Sequence, residues 1–119
     1  MYFFDTYAII EIIKENKSYI RYNDETINTS ILNLGELYYA LLKDYNENTA
    51  NEWRRILEKN LLIINSDLIV KAMIFKYKNK HKNFSFIDCV GYVMAKENNL
   101  IFLTGDKEFK DMLNVEFVK

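Results

Sequence analysis

Ser85-Phe86-Ile87-Asp88-Cys89-Val90-Gly91-Tyr92-Val93-Met94-Ala95 carries a single charge, on Asp88. The stretch predicts a helix from Phe86 with Ser85 as its N-cap, because a serine just ahead of an apolar run supplies the oxygen that the first free amides need. A helix that is uncharged on every face is a largely buried one. An acid beside such neighbours is costly to bury unless something cationic compensates it, so Asp88 marks a place where the sequence departs from simple packing.

Downstream, Leu100 to Leu103 reads as a strand, Thr104-Gly105-Asp106 as a turn into a short helix, and Val115 to Val118 as an edge strand. Upstream, a basic helix is expected from about Asp67 with Ser66 as cap, preceded by Leu61 to Ile64 as a buried strand. Gly35 to Lys43 and Thr49 to Asn60 have helical patterns around the polar turn Tyr45-Asn46-Glu47-Asn48, and Thr26 to Leu32 is rich in β-branched residues. At the start, Tyr2-Phe3-Phe4 is a strand candidate and Tyr7 to Glu15 a helix, with Asp5 at their junction.

Alternating strands and helices favour a parallel sheet covered by helices on both faces, and right-handed crossovers bring successive strand ends to one edge. Ligands bind at such carboxyl ends. Asp5 and Asp106 follow predicted strands, while Glu36 and Asp88 fall in the first turns of predicted helices, so one pocket can collect all four. Each also has an ordinary explanation, since helix N-termini attract carboxylates. Asp5 and Asp106 read as N-caps, and Asn33-Leu34-Gly35-Glu36 and Ser85-Phe86-Ile87-Asp88 both fit a capping box.

Composition narrows the classes. With 119 residues, half of them apolar, the chain can bury roughly two-thirds of its unfolded surface as a single domain over residues 1–119. The lone Cys89 cannot form an internal disulfide and is expected to be a buried thiol. Met1 to Ile13 lacks a basic leader and contains Asp5 and Glu11, and no apolar run reaches the roughly 18 residues of a membrane span, so a cytoplasmic protein is expected. One histidine, His81, argues against a His-rich zinc site, and no glycine-rich phosphate loop or Ser-His-Asp triad stands out.

A net charge of −1 argues against a polycationic nucleic-acid binder, yet no acid occurs from Leu68 to Ile87. That window holds Lys71, Lys76, Lys78, Lys80, His81 and Lys82, of which Lys71, Lys78 and Lys82 share one helical face at this spacing. These three are candidate RNA contacts beside an acidic pocket, against the plainer reading of a solvated helix surface.

The order of Phe4-Asp5-Thr6, Ser30 through Gly35-Glu36-Leu37, Ser85-Phe86-Ile87-Asp88 and Thr104-Gly105-Asp106-Lys107-Glu108-Phe109 resembles the PIN-domain ribonucleases, particularly the VapC-type toxins of toxin-antitoxin pairs. The resemblance implies a three-layer α/β/α fold with a central, mainly parallel sheet. It also implies that Asp5, Glu36, Asp88 and Asp106 are catalytic and bind one or two Mg²⁺ or Mn²⁺ ions. Thr104 would organise the site, and Glu108 would add an outer carboxylate. The implied reaction is hydrolysis of RNA phosphodiester bonds, and the implied partners are RNA, a cognate antitoxin and a second copy in a homodimer. Tyr7 stands where many members of that family carry a small polar residue. Leu37, Tyr38, Leu41 and Trp53 are candidates for an apolar antitoxin groove.

Two other readings compete. A catalytically silent PIN-like module would use the same fold only to bind RNA or protein. A phosphoacceptor receiver domain would need an acceptor aspartate ending a central strand, whereas Leu61-Leu62-Ile63-Ile64 runs into Asn65.

Overall fold

A computed structural model describes residues 1–119. Three short strands, β1 (Tyr2–Phe4), β2 (Ile101–Thr104) and β3 (Val115–Phe117), lie side by side in that order, and every pairing is parallel. Five helices accompany them: α1 (Thr6–Ile13), α2 (Ile31–Asp44), α3 (Glu47–Leu57), α4 (Ser66–Lys78) and α5 (Phe86–Glu97).

Strand pleating sorts the core into two layers. Phe3 pairs with Phe102 and Phe4 with Leu103 in register. Successive side chains point to opposite faces, so each pair feeds a different side of the sheet. Phe3 and Phe102, their rings stacked 5.7 Å apart, pack with Leu68 and Ala72 of α4 and with Cys89, Val90 and Met94 of α5. Phe4 and Leu103 pack on the other face with Ala8 and Ile9 of α1, Leu37 and Leu41 of α2, and Ala50 and Leu57 of α3. This is the expected three-layer α/β/α arrangement around a parallel sheet.

The uncharged helix behaves as its composition requires. Residues 89–95 of α5 are all buried, Cys89 among them as a free thiol. A Cβ on Gly91 would come within 3.0 Å of the Phe3 ring, so the glycine sets how closely α5 lies on the sheet. Burial lifts the Cys89 thiol to about 11, so the thiol is kept in its neutral form.

Three local expectations are corrected. Leu61 to Ile64 is not a strand: Leu61 makes one bridge with Thr29, and Ile63 is 86% exposed. Thr26 to Leu32 likewise contributes isolated bridges, Phe3 with Asn28 and Thr29 with Leu61, before turning into α2 at Ile31. The basic helix α4 is capped by Asn65, whose side chain accepts from the Leu68 amide at 2.9 Å, and Ser66 is its first helical residue. The segment preceding α4 ends in a cap, as a chain about to turn requires.

At the carboxyl edge, the amide of Asp5 donates to Leu103 O at 3.1 Å and that of Val118 to Thr104 O at 2.9 Å, extending both ladders one residue past the strands. The 3-10 helix Lys17–Tyr22 is clasped to β3 there: the Tyr19 hydroxyl donates to Val118 O at 2.5 Å and the Tyr22 hydroxyl to the Glu116 carboxylate. No helix is long and apolar enough to cross a membrane.

Candidate functional site

Asp5 leaves β1 as the N-cap of α1, and both its oxygens are engaged. Oδ1 accepts from the Thr6 amide at 2.9 Å, and Oδ2 accepts from the Thr104 hydroxyl at 2.6 Å. Thr104, fully buried at the end of β2, also accepts the Asp106 amide at 3.1 Å through the same Oγ1. A single hydroxyl thereby joins the ends of neighbouring strands and fixes where Asp106 begins. Asp106 then accepts the Glu108 amide at 3.0 Å, capping the 3-10 turn Lys107–Phe109.

Asp88 reaches the same edge from the first turn of α5. The predicted capping box is present: Ser85 Oγ accepts the Asp88 amide at 3.1 Å while Asp88 Oδ2 accepts the Ser85 amide at 2.9 Å. The box occupies one oxygen of Asp88 and fixes the direction of the carboxylate. Capping and a site role are thus compatible in one residue, since each ionised carboxylate has roughly four acceptor positions.

Glu36 arrives differently from the sequence expectation. Helix α2 begins at Ile31, capped by Ser30, whose Oγ accepts the Asn33 amide at 3.2 Å. Asn33-Leu34-Gly35-Glu36 is therefore no capping box, and Glu36 lies in the second helical turn, exposed. Asn33 is the residue that sequence reasoning missed. Fully buried, it accepts from the Ser30 hydroxyl at 2.6 Å and donates to Thr6 Oγ1 at 3.0 Å, locking the start of α2 to the start of α1 beside Asp5. The Ser-x-x-Asn spacing was the available signal.

The electrostatics show that these acids share one environment. Burial, aided by the charges of Asp88 and Glu36, raises the Asp5 carboxyl to about 7 against the opposing bonds from Thr104 and Thr6. Asp88 is also raised, chiefly by burial and partly by Asp106 and Glu36, against its bonds to Ser85. Asp5 and Asp88 thus sit at the carboxyl edge of the sheet as acids raised chiefly by burial, with the charges of Glu36 and Asp106 adding to the rise. No three His, Cys, Asp or Glu side chains close on a common point tightly enough to enclose an ion unaided.

Glu108 has a different job: its Oε1 accepts the Asn83 amide at 2.9 Å, and its backbone carbonyl accepts Lys82 Nζ at 3.0 Å, tying the loop before α5 to the Asp106 turn. Tyr7 packs its ring against Gly105, where a Cβ would collide with that ring and lie 2.5 Å from Val118 O. Only glycine fits between them.

The lysines separate. Helix α4 ends at Lys78, so Lys71, Lys78 and Lys82 do not share a helical face. Lys71 bonds Glu97 at 2.8 Å, at the end of α5 remote from Asp88, whereas Lys82 reaches the Asp106 turn through Glu108. The expected apolar groove is also re-drawn. Leu37 and Leu41 are core residues and Trp53 packs against that core, so of the expected residues only Tyr38 lines the groove of about 600 Å³, with Ile31, Leu34, Tyr39 and Leu42 of α2 on one side and Arg54, Glu58 and Leu61 on the other.

Comparison with known proteins fits this geometry. A search of curated proteins by sequence found no match. Among solved structures, the chain is similar to the Mycobacterium tuberculosis toxin VapC20, described as cleaving the sarcin-ricin loop, with TM-score 0.81 at 16% identity over 100% of both chains. It is similar to a toxin-antitoxin complex from Klebsiella pneumoniae, with TM-score 0.79 at 16% identity over 98% of this chain and 96% of that one. VapBC2 from Rickettsia felis, bound to a DNA fragment from its promoter, gives TM-score 0.70 at 21% identity over 99% and 98%. At these identities the likenesses speak for the fold, and they agree with the sequence profile of the PIN domain, which matches residues 2–113. The chain belongs to the PIN domain family.

Proposed function

We propose that this protein is a metal-dependent ribonuclease and the toxin of a toxin-antitoxin pair. The observation that carries the reading is the placement of Asp5 in a chain of the PIN family: a buried carboxyl at the carboxyl edge of a parallel sheet, tied through the Thr104 hydroxyl to the Asp106 turn, with its proton held up chiefly by burial and further by the charges of Asp88 and Glu36. Acids are assembled there against their own repulsion, which is the arrangement a divalent cation relieves.

Carboxylate oxygens are the donors that hard cations take, and Mg²⁺ keeps several waters while binding one or two carboxylates directly. Asp5, Glu36, Asp88 and Asp106 are the residues that would hold one or two Mg²⁺ or Mn²⁺ ions. When bound, the ion supplies activated water and stabilises the charge that develops on the phosphate. The chain supplies position: Thr104 holds Asp5 and the Asp106 backbone in register, Ser85 aims Asp88, and Asn33 fixes α2 so that Glu36 overlooks the same edge. Exposed Glu36 is the member free to follow a substrate.

The groove along α2 beside Glu36 suits an apolar segment of an antitoxin, since Ile31, Tyr39 and Leu42 are exposed there. A silent binding module is the second reading, favoured by the open spacing of the carboxylates.

Incubating total cellular RNA with wild type and Asp88→Asn, in Mg²⁺, Mn²⁺ or EDTA, tests the proposal. Cleavage that needs metal and vanishes in the variant supports the nuclease. Equal cleavage by both proteins rejects this site, and no cleavage in any metal favours the silent module.

A further inference from the structure

Beside the acidic edge lies a hollow of opposite charge. Its volume is about 340 Å³, and Lys76, Tyr77, Asn79, Lys80, Lys82 and Phe84 form most of its wall. Two of the lysines are anchored: Lys76 Nζ donates to Phe84 O at 2.5 Å and Lys82 Nζ to Glu108 O at 3.0 Å. Each ammonium has three donors, so each keeps hydrogens for a further acceptor. Tyr77 is 70% exposed, and Lys80 Nζ stands 4.8 Å from the centre of its ring.

We propose that this hollow is a subsite for single-stranded RNA, seating one nucleotide next to the acidic edge with its phosphate on Lys76, Lys80 and Lys82 and its base stacked on Tyr77. The inference rests on the ribonuclease reading for the kind of polymer and goes beyond it in naming the site. Size favours a single nucleotide, since the volume lies at the lower end of the roughly 300–1,000 Å³ of small-ligand sites. An exposed aromatic face among cations suits an unstacked base, whereas a duplex hides its base faces. An acidic peptide would use the lysines but gain nothing from the 70% exposed Tyr77 ring beyond its existing contact with Lys80.

Continuity with the acids comes from hydrogen bonds. Lys82 and Asn83 hold Glu108, Glu108 donates its amide to Asp106, and Phe84 leads directly into the Ser85–Asp88 capping box. The hollow and the Asp106 turn are thus tied together through Lys82, Asn83 and Glu108.

The test is a fluorescence-anisotropy titration of labelled single-stranded oligouridylate in EDTA across a range of salt, so that binding is read without cleavage. Tyr77→Ala is expected to weaken binding about 5- to 150-fold with the salt slope unchanged, and Tyr77→Phe to bind within about twofold of wild type. Lys80→Ala is expected to lower the slope of log K against log salt by about 0.7, the value for one contact to a single strand. Both residues are exposed on the surface, and thermal melts confirm that the variants fold.

The proposal is overturned if wild type does not bind, if Tyr77→Ala and Lys80→Ala bind as wild type does, or if polyglutamate displaces the label as well as unlabelled RNA. The two readings fail separately. Binding through Tyr77 without metal-dependent cutting removes the nuclease alone, and cutting with RNA affinity untouched by both substitutions removes the subsite alone.

Discussion

The two ends of α5 treat charge in opposite ways. At its amino end, Asp88 is held among Asp5, Glu36 and Asp106, and both Asp5 and Asp88 retain protons beyond their ordinary range. At its carboxyl end, Glu97 meets Lys71 at 2.8 Å in an exposed pair, with side-chain exposures of 48% and 56%. The second arrangement is what a folded surface tolerates without consequence. The first is a group of acids raised chiefly by burial, the kind of perturbation that marks a candidate site.

The sharpest attack on this contrast is catalytic. Asp5→Asn keeps size but removes the charge that both Thr6 and Thr104 orient, and metal-dependent RNA cleavage is expected to fall at least about 100-fold, a loss typical of removing a group that stabilises developing charge. Initial rates on an RNA substrate measure it, and a fall under threefold would leave the amino end no more special than the carboxyl end.

Next in size is linkage. The folded carboxyl of Asp5 lies near 7, above its ordinary 3.8, so the folded chain binds a proton that the unfolded chain has already released. That contribution to stability is fully present below about pH 4 and is lost as pH rises through about 7, at ~1.4 kcal/mol per unit and so a few kcal/mol at most. Urea melts of metal-free protein from pH 4 to 8 are expected to show this decline, and Asp5→Asn to flatten it. Parallel curves for the two proteins would remove Asp5 as its source.

Metal addition should act on the same strain. At pH 8 and ten times its Kd, Mg²⁺ is expected to add about 1.4 kcal/mol of stability, seen as a saturable rise in Tm that Asp88→Asn diminishes. Ser85→Ala comes next, at about 1 kcal/mol by melting for the lost cap, with cleavage largely kept because the Ser85 backbone amide still holds the Asp88 carboxylate. Lys71→Ala closes the series: within about 0.5 kcal/mol by melting, with RNA affinity unchanged.

What the sequence disclosed follows the strength of local patterns. Phe3 and Phe4, and Phe102 and Leu103, are large apolar pairs that must face opposite layers, so β1, β2 and the sandwich between helices were readable. Helix α5 was readable because nothing charged interrupts it beyond its first turn until Lys96. The apolar run Leu61 to Ile64 misled because strand-like composition does not supply a partner, and only one bridge was available. Gly35 looked like the start of a helix, yet nothing lies within 4 Å of where its Cβ would be: it is an exposed interior position and Ser30 starts the helix. Lys82 was placed on α4 by spacing alone, whereas Asn79 at the helix end, bonding Phe75 O through both its amide and its side chain, stops the chain short of it. The places of Asp5 and Asp106 at the ends of β1 and β2, and of Asp88 in the first turn of α5, were legible because strand ends and helix caps have local signals, whereas Glu36 sits one turn deeper in α2 than its sequence suggested. Their shared electrostatics depend on burial depth, which no spacing encodes.

The Asp5–Thr104 bond joins residues 99 positions apart. Contacts so distant in sequence require most of the chain before they can form. During synthesis a polypeptide extended only through α5 would have Asp5, Glu36 and Asp88 but neither β2 nor the Thr104 clasp, and so no aligned site. On the ribonuclease reading proposed above, such a chain would stay inert on the ribosome, among the RNA nearest to it, until β2 and the Asp106 turn have emerged and closed against its first strand.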